Sequence, residues 1–134
     1  VVDALGGAPG VYSARYAGTT GSREERDARN NQKLLHELSG VPPRERSARY
    51  VCALCLVSPN GEVLAETRGT FEGRIGFEQR GTGGFGYDPL FVVPELGRTA
   101  AELTSEEKNA RSHRGQAARA LFRTLASSRA PARE

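Results

Sequence analysis

Hydrophobic and polar positions follow several distinct rhythms along this chain, and each rhythm predicts an element. Between residues 22 and 40, Ala28, Leu34, Leu35 and Leu38 fall near one helical face. Ser22 with Glu25 opens that helix as a capping box and Gly40 stops it. Asn31 lies on the same stripe although polar, which is explained by a boundary position or a bond to neighbouring backbone. From Tyr50 to Val57 nearly every residue is apolar, the pattern of a strand covered on both faces. Pro59-Asn60-Gly61 then supplies hairpin chemistry. The return strand runs from about Glu62 to Phe71. Its Val63, Ala65 and Thr67 alternate with Leu64, Glu66 and Arg68, so it is expected to lie less deep than its partner.

The flanking segments are read in the same way. Residues 1 to 21 hold Gly6, Gly7, Pro9, Gly10, Gly18 and Gly21 without sustained periodicity, so a loop is expected after a short strand. Leu90 to Val93 reads as a short strand ending at Pro94. Thr104 with Glu107 marks one capped segment, and a second helix opens at Ser112. There Ala118, Leu121, Phe122 and Leu125 stand at i, i+3, i+4 and i+7 as the docking stripe.

Length and composition narrow the class. The 134 residues suit a single domain with one core. No Met occurs, even at position 1, so the chain is expected to begin inside a longer protein. No apolar run approaches the roughly 18 residues of a membrane span, and no leader-like segment opens the chain, which predicts a soluble, cytoplasmic protein without a membrane partner. Cys52 and Cys55 cannot make a disulfide framework, and their three-residue spacing on a strand points them to opposite faces, so both are expected as buried core thiols. The net charge is +3, and every cation except Lys33 and Lys108 is arginine. These arginines are scattered rather than gathered on one stripe with interleaved aromatics, which argues against a nucleic-acid partner. The tail Arg119, Arg123, Arg129 and Arg133 reads as a solvated helix face with a frayed end.

Two segments could carry chemistry. Gly81, Gly83 and Gly86 spell GxGxxG, but Asp88-Pro89 and an apolar strand follow where a dinucleotide fold would open a helix. A P-loop is absent as well, because neither lysine follows the required glycines. In Gly84-Phe85-Gly86-Tyr87-Asp88-Pro89, glycines are expected to expose backbone N–H groups beside an aromatic ring, an arrangement that suits a planar base. A tight turn with Phe85 and Tyr87 packed in the core explains the same residues equally well. The segment from Lys108 to Arg114 places a lysine, a histidine and two arginines at a helix start, against the helix dipole. An acceptor-rich ligand would compensate them, and so would solvent.

Taken in order, VDALGGAPGVYSARYAG (2 to 18), NNQKLL (30 to 35), GTGGFGYDPLF (81 to 91), TAAELTSEEKN (99 to 109) and SHRGQA (112 to 117) resemble the inosine triphosphate pyrophosphatase family. The resemblance covers essentially the whole chain. It implies a two-lobed α/β fold with a mixed sheet, long strands and flanking helices. It also implies hydrolysis of ITP, dITP and XTP to monophosphate and pyrophosphate with Mg2+, by a homodimer. On this resemblance Phe85, Gly86, Tyr87 and Asp88 match the substrate-binding loop, with Phe85 stacking on the purine. Lys108 matches a substrate-contacting lysine, and Ser112, His113 and Arg114 match the segment that reads the base. A 6-oxo purine accepts hydrogen bonds where adenine donates them, so donors from His113, Arg114 and backbone would reject adenine.

The front of the chain departs from that pattern. The family's Thr/Ser-Gly-Asn...Lys phosphate loop, its metal-binding glutamate and its paired-aspartate DDSGL motif are not among these residues. The resemblance places DDSGL immediately before Val1. It therefore assigns no catalytic base and no metal ligand to this chain, and Asp3 does not inherit the role. Residues 1–134 are thus expected to form one N-terminally truncated pyrophosphatase domain. The alternative is a catalytically incompetent purine-nucleotide-binding fragment.

Overall fold

The computed structural model describes residues 1 to 128, so Arg129 and Arg133 of the basic tail lie outside the described residues. Helices α1 (Arg23–Glu37), α2 (Ser105–Arg111) and α3 (His113–Ser128) accompany strands β1 (Ser47–Val57), β2 (Val63–Ile75), β3 (Phe91–Val93) and β4 (Arg98–Thr99). The strands form one sheet in the order β1, β2, β3, β4. This is the expected α/β architecture of long strands with flanking helices. The chain divides into two compact units, Val1–Arg49 with Glu72–Glu106, and Tyr50–Phe71 with Glu107–Glu134.

In the first unit the opening segment makes a single antiparallel bridge, Val2 to Ala48, instead of a strand. Two 3-10 turns follow, Asp3–Leu5 and Gly10–Arg15. Asp3 pins this segment by accepting from Ser47 and from both terminal nitrogens of Arg49, whose Nε reaches Glu72. Those bonds from Arg49 and Ser47 hold the Asp3 carboxyl down at about 2. The capping box of α1 forms as the sequence predicts, with Ser22 Oγ accepting from Glu25 N–H and Glu25 Oε1 from Ser22 N–H. The helix does not bury the expected stripe, however. Leu34 and Leu38 are buried, Leu35 is half-buried, Ala28 is exposed, and Asn30 and Asn31 are buried instead.

β2, β3 and β4 pair antiparallel, with Arg74 opposite Val92, Ile75 opposite Phe91, and Val92 opposite Thr99. Leu90, Phe91, Val92, Val93, Ala100 and Ala101 join Leu34, Leu38 and Ile75 in the core. Arg46 is buried among them. Its guanidinium donates to the carbonyls of Val41, Gly76 and Leu38 at 2.8 to 2.9 Å and lies over the Phe77 ring.

In the second unit the hairpin closes at Asn60-Gly61 as expected, with Ser58 N–H donating to Glu62 O at 2.8 Å. Burial of the two strands reverses the expectation. β1 is the edge of the sheet, and from Cys52 onward its residues alternate between half-buried and exposed. β2 buries Ala65, Gly69 and Phe71. Cys52 is therefore only half-buried and Cys55 is exposed, so neither is a buried core thiol. The reason is steric: Gly69 lets α3 lie directly on β2, and a Cβ there would stand 2.1 Å from the His113 carbonyl oxygen. Thr67 Oγ1 also donates to Ala117 O at 2.8 Å. α3 docks by Ala117, with Leu121 and Leu125 half-buried, while Ala118 and Phe122 of the expected stripe are exposed.

Candidate functional site

The expected site residues fall into two groups, one in each unit. In the first unit, Phe85, Gly86, Tyr87 and Asp88 form a tight loop between the glycine-rich segment and β3. Asp88 is buried, and its Oδ2 accepts from Phe85 N–H at 3.1 Å while its own N–H donates to Phe85 O at 3.2 Å. Gly86 has φ of +60°, a left-handed conformation that glycine adopts without the usual steric cost. Its N–H donates to Asp27 Oδ2 at 3.0 Å, and its carbonyl accepts from Asn31 Nδ2 at 3.1 Å. Gly83 N–H is likewise taken, by Ala101 O. The expectation that this loop exposes its backbone donors is thus corrected: the N–H groups of residues 83, 85, 86 and 88 are used inside the unit.

What the loop does present is an aromatic plane. Phe85 is 48% exposed, and the Arg23 guanidinium stands 4.9 Å from its ring centroid. Tyr87 points the other way, its hydroxyl donating to Ser13 O at 2.6 Å. Burial, with smaller contributions from Tyr16 and Asp27, pushes the Tyr87 phenol well above the usual tyrosine range.

The opening segment is fastened by the same helix. Asn30 Oδ1 accepts from Ala17 N–H at 2.7 Å, and its Nδ2 faces Ser13 O and Ala14 O. Lys33 Nζ donates to Tyr16 O at 2.8 Å and lies over the Tyr16 ring. In NNQKLL, then, the two asparagines divide the work: Asn30 holds the turn before the helix, and Asn31 holds the loop that follows β2.

In the second unit, Lys108 to Arg114 is not one helix start. Lys108 and Arg111 occupy the last turn of α2, where cations suit the helix dipole, and only His113 and Arg114 open α3. Ser112 separates the helices, accepting Gln116 N–H on its carbonyl at 3.0 Å and Gly115 N–H on Oγ at 3.2 Å. It is the N-cap of α3. The His113 ring stacks on Tyr50 with centroids 5.0 Å apart and planes 16° apart. Arg114, on the next position, is exposed.

The sequence reading did not find Arg23 or Asp27, and gave Asn31 only a local role. The available signals were Arg23, a cation in the first turn of α1 beside Glu24 and Glu25, and the four-residue spacing of the three positions. No group of three or more His, Cys, Asp or Glu side chains that could hold a metal ion occurs among the described residues. The described residues therefore do not by themselves fit a Mg2+ site. No described helix is long and apolar enough to cross a membrane.

Comparison with known proteins places this geometry. The chain is 60% identical over 124 residues to a dITP/XTP pyrophosphatase of Exiguobacterium sibiricum, covering 92% of the chain and 60% of that protein. It is 56% identical over 117 residues to the dITP/XTP pyrophosphatase of Geobacillus kaustophilus, covering 87% and 55%. Among solved structures, the Ham1 protein of Staphylococcus aureus matches with a TM-score of 0.85 at 41% identity, over 96% of this chain and 63% of that one. A HAM1 protein from Coxiella burnetii matches with a TM-score of 0.85 at 44% identity, over 95% and 63%. The chain thus spans about 60% of the length of the first of these relatives. The model of the Ham1 family matches residues 1–124, which include both groups of site residues, and the chain belongs to that family.

Proposed function

We propose that the chain is part of an enzyme that hydrolyses ITP, dITP and XTP to monophosphate and pyrophosphate, clearing non-canonical purines from the nucleotide pool. The observation that carries this reading is the 60% identity to a dITP/XTP pyrophosphatase across 92% of the chain. Phe85, Gly86, Tyr87 and Asp88 are the base-binding loop. The fixed loop backbone and the half-exposed Phe85 ring support a stacking role, because a base gains roughly 1 to 3 kcal/mol on an aromatic plane. Lys108 offers a mobile point charge to phosphate oxygens. Ser112, His113 and Arg114 supply donors to a 6-oxo group, and adenine is rejected because its 6-amino group leaves such donors unpaired.

Charge stabilisation on the phosphates would come from Mg2+, and no described residue of this chain is assigned to hold it. Its ligands and the proton acceptor belong, on the family resemblance, to the part of the relatives that this chain does not span. The homodimer and the cytoplasmic location are carried over on the same resemblance.

The test is a titration with ITP and ATP, followed by an assay of pyrophosphate release with Mg2+. These 134 residues should take up ITP in preference to ATP and release no pyrophosphate. A polypeptide with the full length of the relatives should hydrolyse ITP. A turnover of about one per second by the 134 residues, an ordinary enzymatic rate, would put the hydrolytic centre inside them.

A further inference from the structure

We infer that Arg23, Asp27 and Asn31 form a positioning row on α1 that fixes the Phe85 ring for purine stacking, so that α1 sets nucleotide affinity without touching the nucleotide. The inference rests on the reading of Phe85 to Asp88 as the base-binding loop.

The three residues stand at i, i+4 and i+8. Each step advances about 6 Å along the helix and rotates only about 40°, so all three share one face. Each contacts one of two adjacent loop residues: Arg23 the Phe85 ring, Asp27 the Gly86 N–H and Asn31 the Gly86 carbonyl. Asp27 and Asn31 thereby grip both polar groups of one residue. Gly86, at φ of +60°, has no side chain to fix it, and glycine has more alternative conformations open to it than any other residue. The helix supplies the restraint that the glycine lacks.

Local helix chemistry does not account for these residues. A cation in the first turn opposes the dipole, so helix stability alone would favour an acid at position 23, as at Glu24 and Glu25. Asn31 is 3% exposed, and its Oδ1 accepts no hydrogen bond among the described residues. An apolar side chain would fill that stripe position without the desolvation cost of the amide. Among the described residues, the one hydrogen bond of the Asn31 side chain runs 55 residues away, to Gly86 O. Asn30 beside it is wholly occupied with residues 13 to 17, so the row is separate from the clasp on the opening segment.

Backbone amide exchange and ITP titration on the full chain test the inference, using Asp27→Ala, Asn31→Ala, Phe85→Ala and the Asp27→Ala/Phe85→Ala double variant. Asp27→Ala removes a charged acceptor and should speed Gly86 amide exchange about tenfold or more, with α1 amides unchanged. ITP affinity should fall about fivefold or more, and less for Asn31→Ala. With Phe85 already replaced, Asp27→Ala should cost no further affinity, because a positioning residue acts only through the group it positions. Unchanged Gly86 exchange, or an equal affinity loss with and without the Phe85 ring, overturns the inference. Should Asp27→Ala fail to fold, Asp27→Asn keeps an acceptor oxygen and should retain most of the protection; full loss overturns it as well. If the wild-type chain takes up no ITP, the base-loop reading fails on its own, and Gly86 exchange still decides whether the row holds the loop.

Discussion

The loop at Phe85 to Asp88 and the helix junction at Lys108 to Arg114 use polar groups in opposite ways. In the loop, carboxylates and an amide are turned inward onto backbone, and what faces outward is a half-exposed ring. At the junction, the backbone is satisfied by a short-range cap, and the cations stand on the helix ends. One region spends its polarity on shape. The other carries its charge on side chains at the two helix ends. On the proposed function the loop governs affinity and the junction governs selectivity, so the two should be separable by mutation.

The largest effect tests whether the junction's backbone can move at all. Gly69→Val places a Cβ where the His113 carbonyl lies 2.1 Å away, so α3 must shift from β2. Urea unfolding should show a loss of about 3 kcal/mol or more. The loop and the junction are compared directly by Phe85→Ala and Arg114→Ala. Loss of the stack should weaken ITP binding by about 5- to 150-fold, and weaken other purine nucleotides by a similar factor. On the proposed function, Arg114→Ala should lower the ratio of ITP to ATP affinity instead, since the 6-amino group of adenine offers Arg114 no acceptor. A charged hydrogen bond to ITP would be worth roughly 1.5 to 3 kcal/mol. Calorimetric titration of both variants with both nucleotides decides the matter, and equal losses for Arg114→Ala would remove it from base reading.

What was legible in the sequence follows the range of the interactions concerned. The Ser22/Glu25 box, the Asn60-Gly61 turn and the Ser112 cap involve partners within four residues, and all three form. The acceptor for Gly86 N–H lies 59 residues away in α1, so nothing local could reveal that the loop's donors are occupied. The apolar run from Tyr50 to Val57 misled for a related reason. An unbroken run marks a strand able to be covered on both sides, whereas coverage depends on neighbours, and β1 lies at the sheet edge. In α3 the periodicity was right but only half of the stripe turns inward: Leu121 and Leu125 are half-buried, Ala117 takes the buried place expected for Ala118, and Phe122 is exposed.

Smaller effects sharpen the contrast. Ser112→Ala removes the cap oxygen that serves Gly115 N–H and should cost about 1 kcal/mol in thermal or urea unfolding. A larger drop in ITP affinity than in stability would show the hydroxyl working in both roles. The smallest effect belongs to the loop. Tyr87 holds its proton more tightly in the folded chain than in the unfolded one, chiefly through burial. Its contribution to stability is complete below the unfolded tyrosine value of about 10 and is lost as pH rises above it. Phenolate absorbance should therefore include a late step that Tyr87→Phe diminishes, while Tyr16, also raised chiefly by burial, still titrates late.

Arg46 has a consequence for how far this sequence can vary. A guanidinium is the one cationic side chain that stays ionised at any pH a protein survives, and its flat fork can address several carbonyls at once. Here three carbonyls and an aromatic ring surround it at 3% exposure, and one of those carbonyls belongs to Leu38, directly after the helix that carries the positioning row. Lysine has a single nitrogen and could not span that set. At this position the choice therefore narrows to arginine, and replacing it would release the carbonyl that follows α1 together with those of Val41 and Gly76.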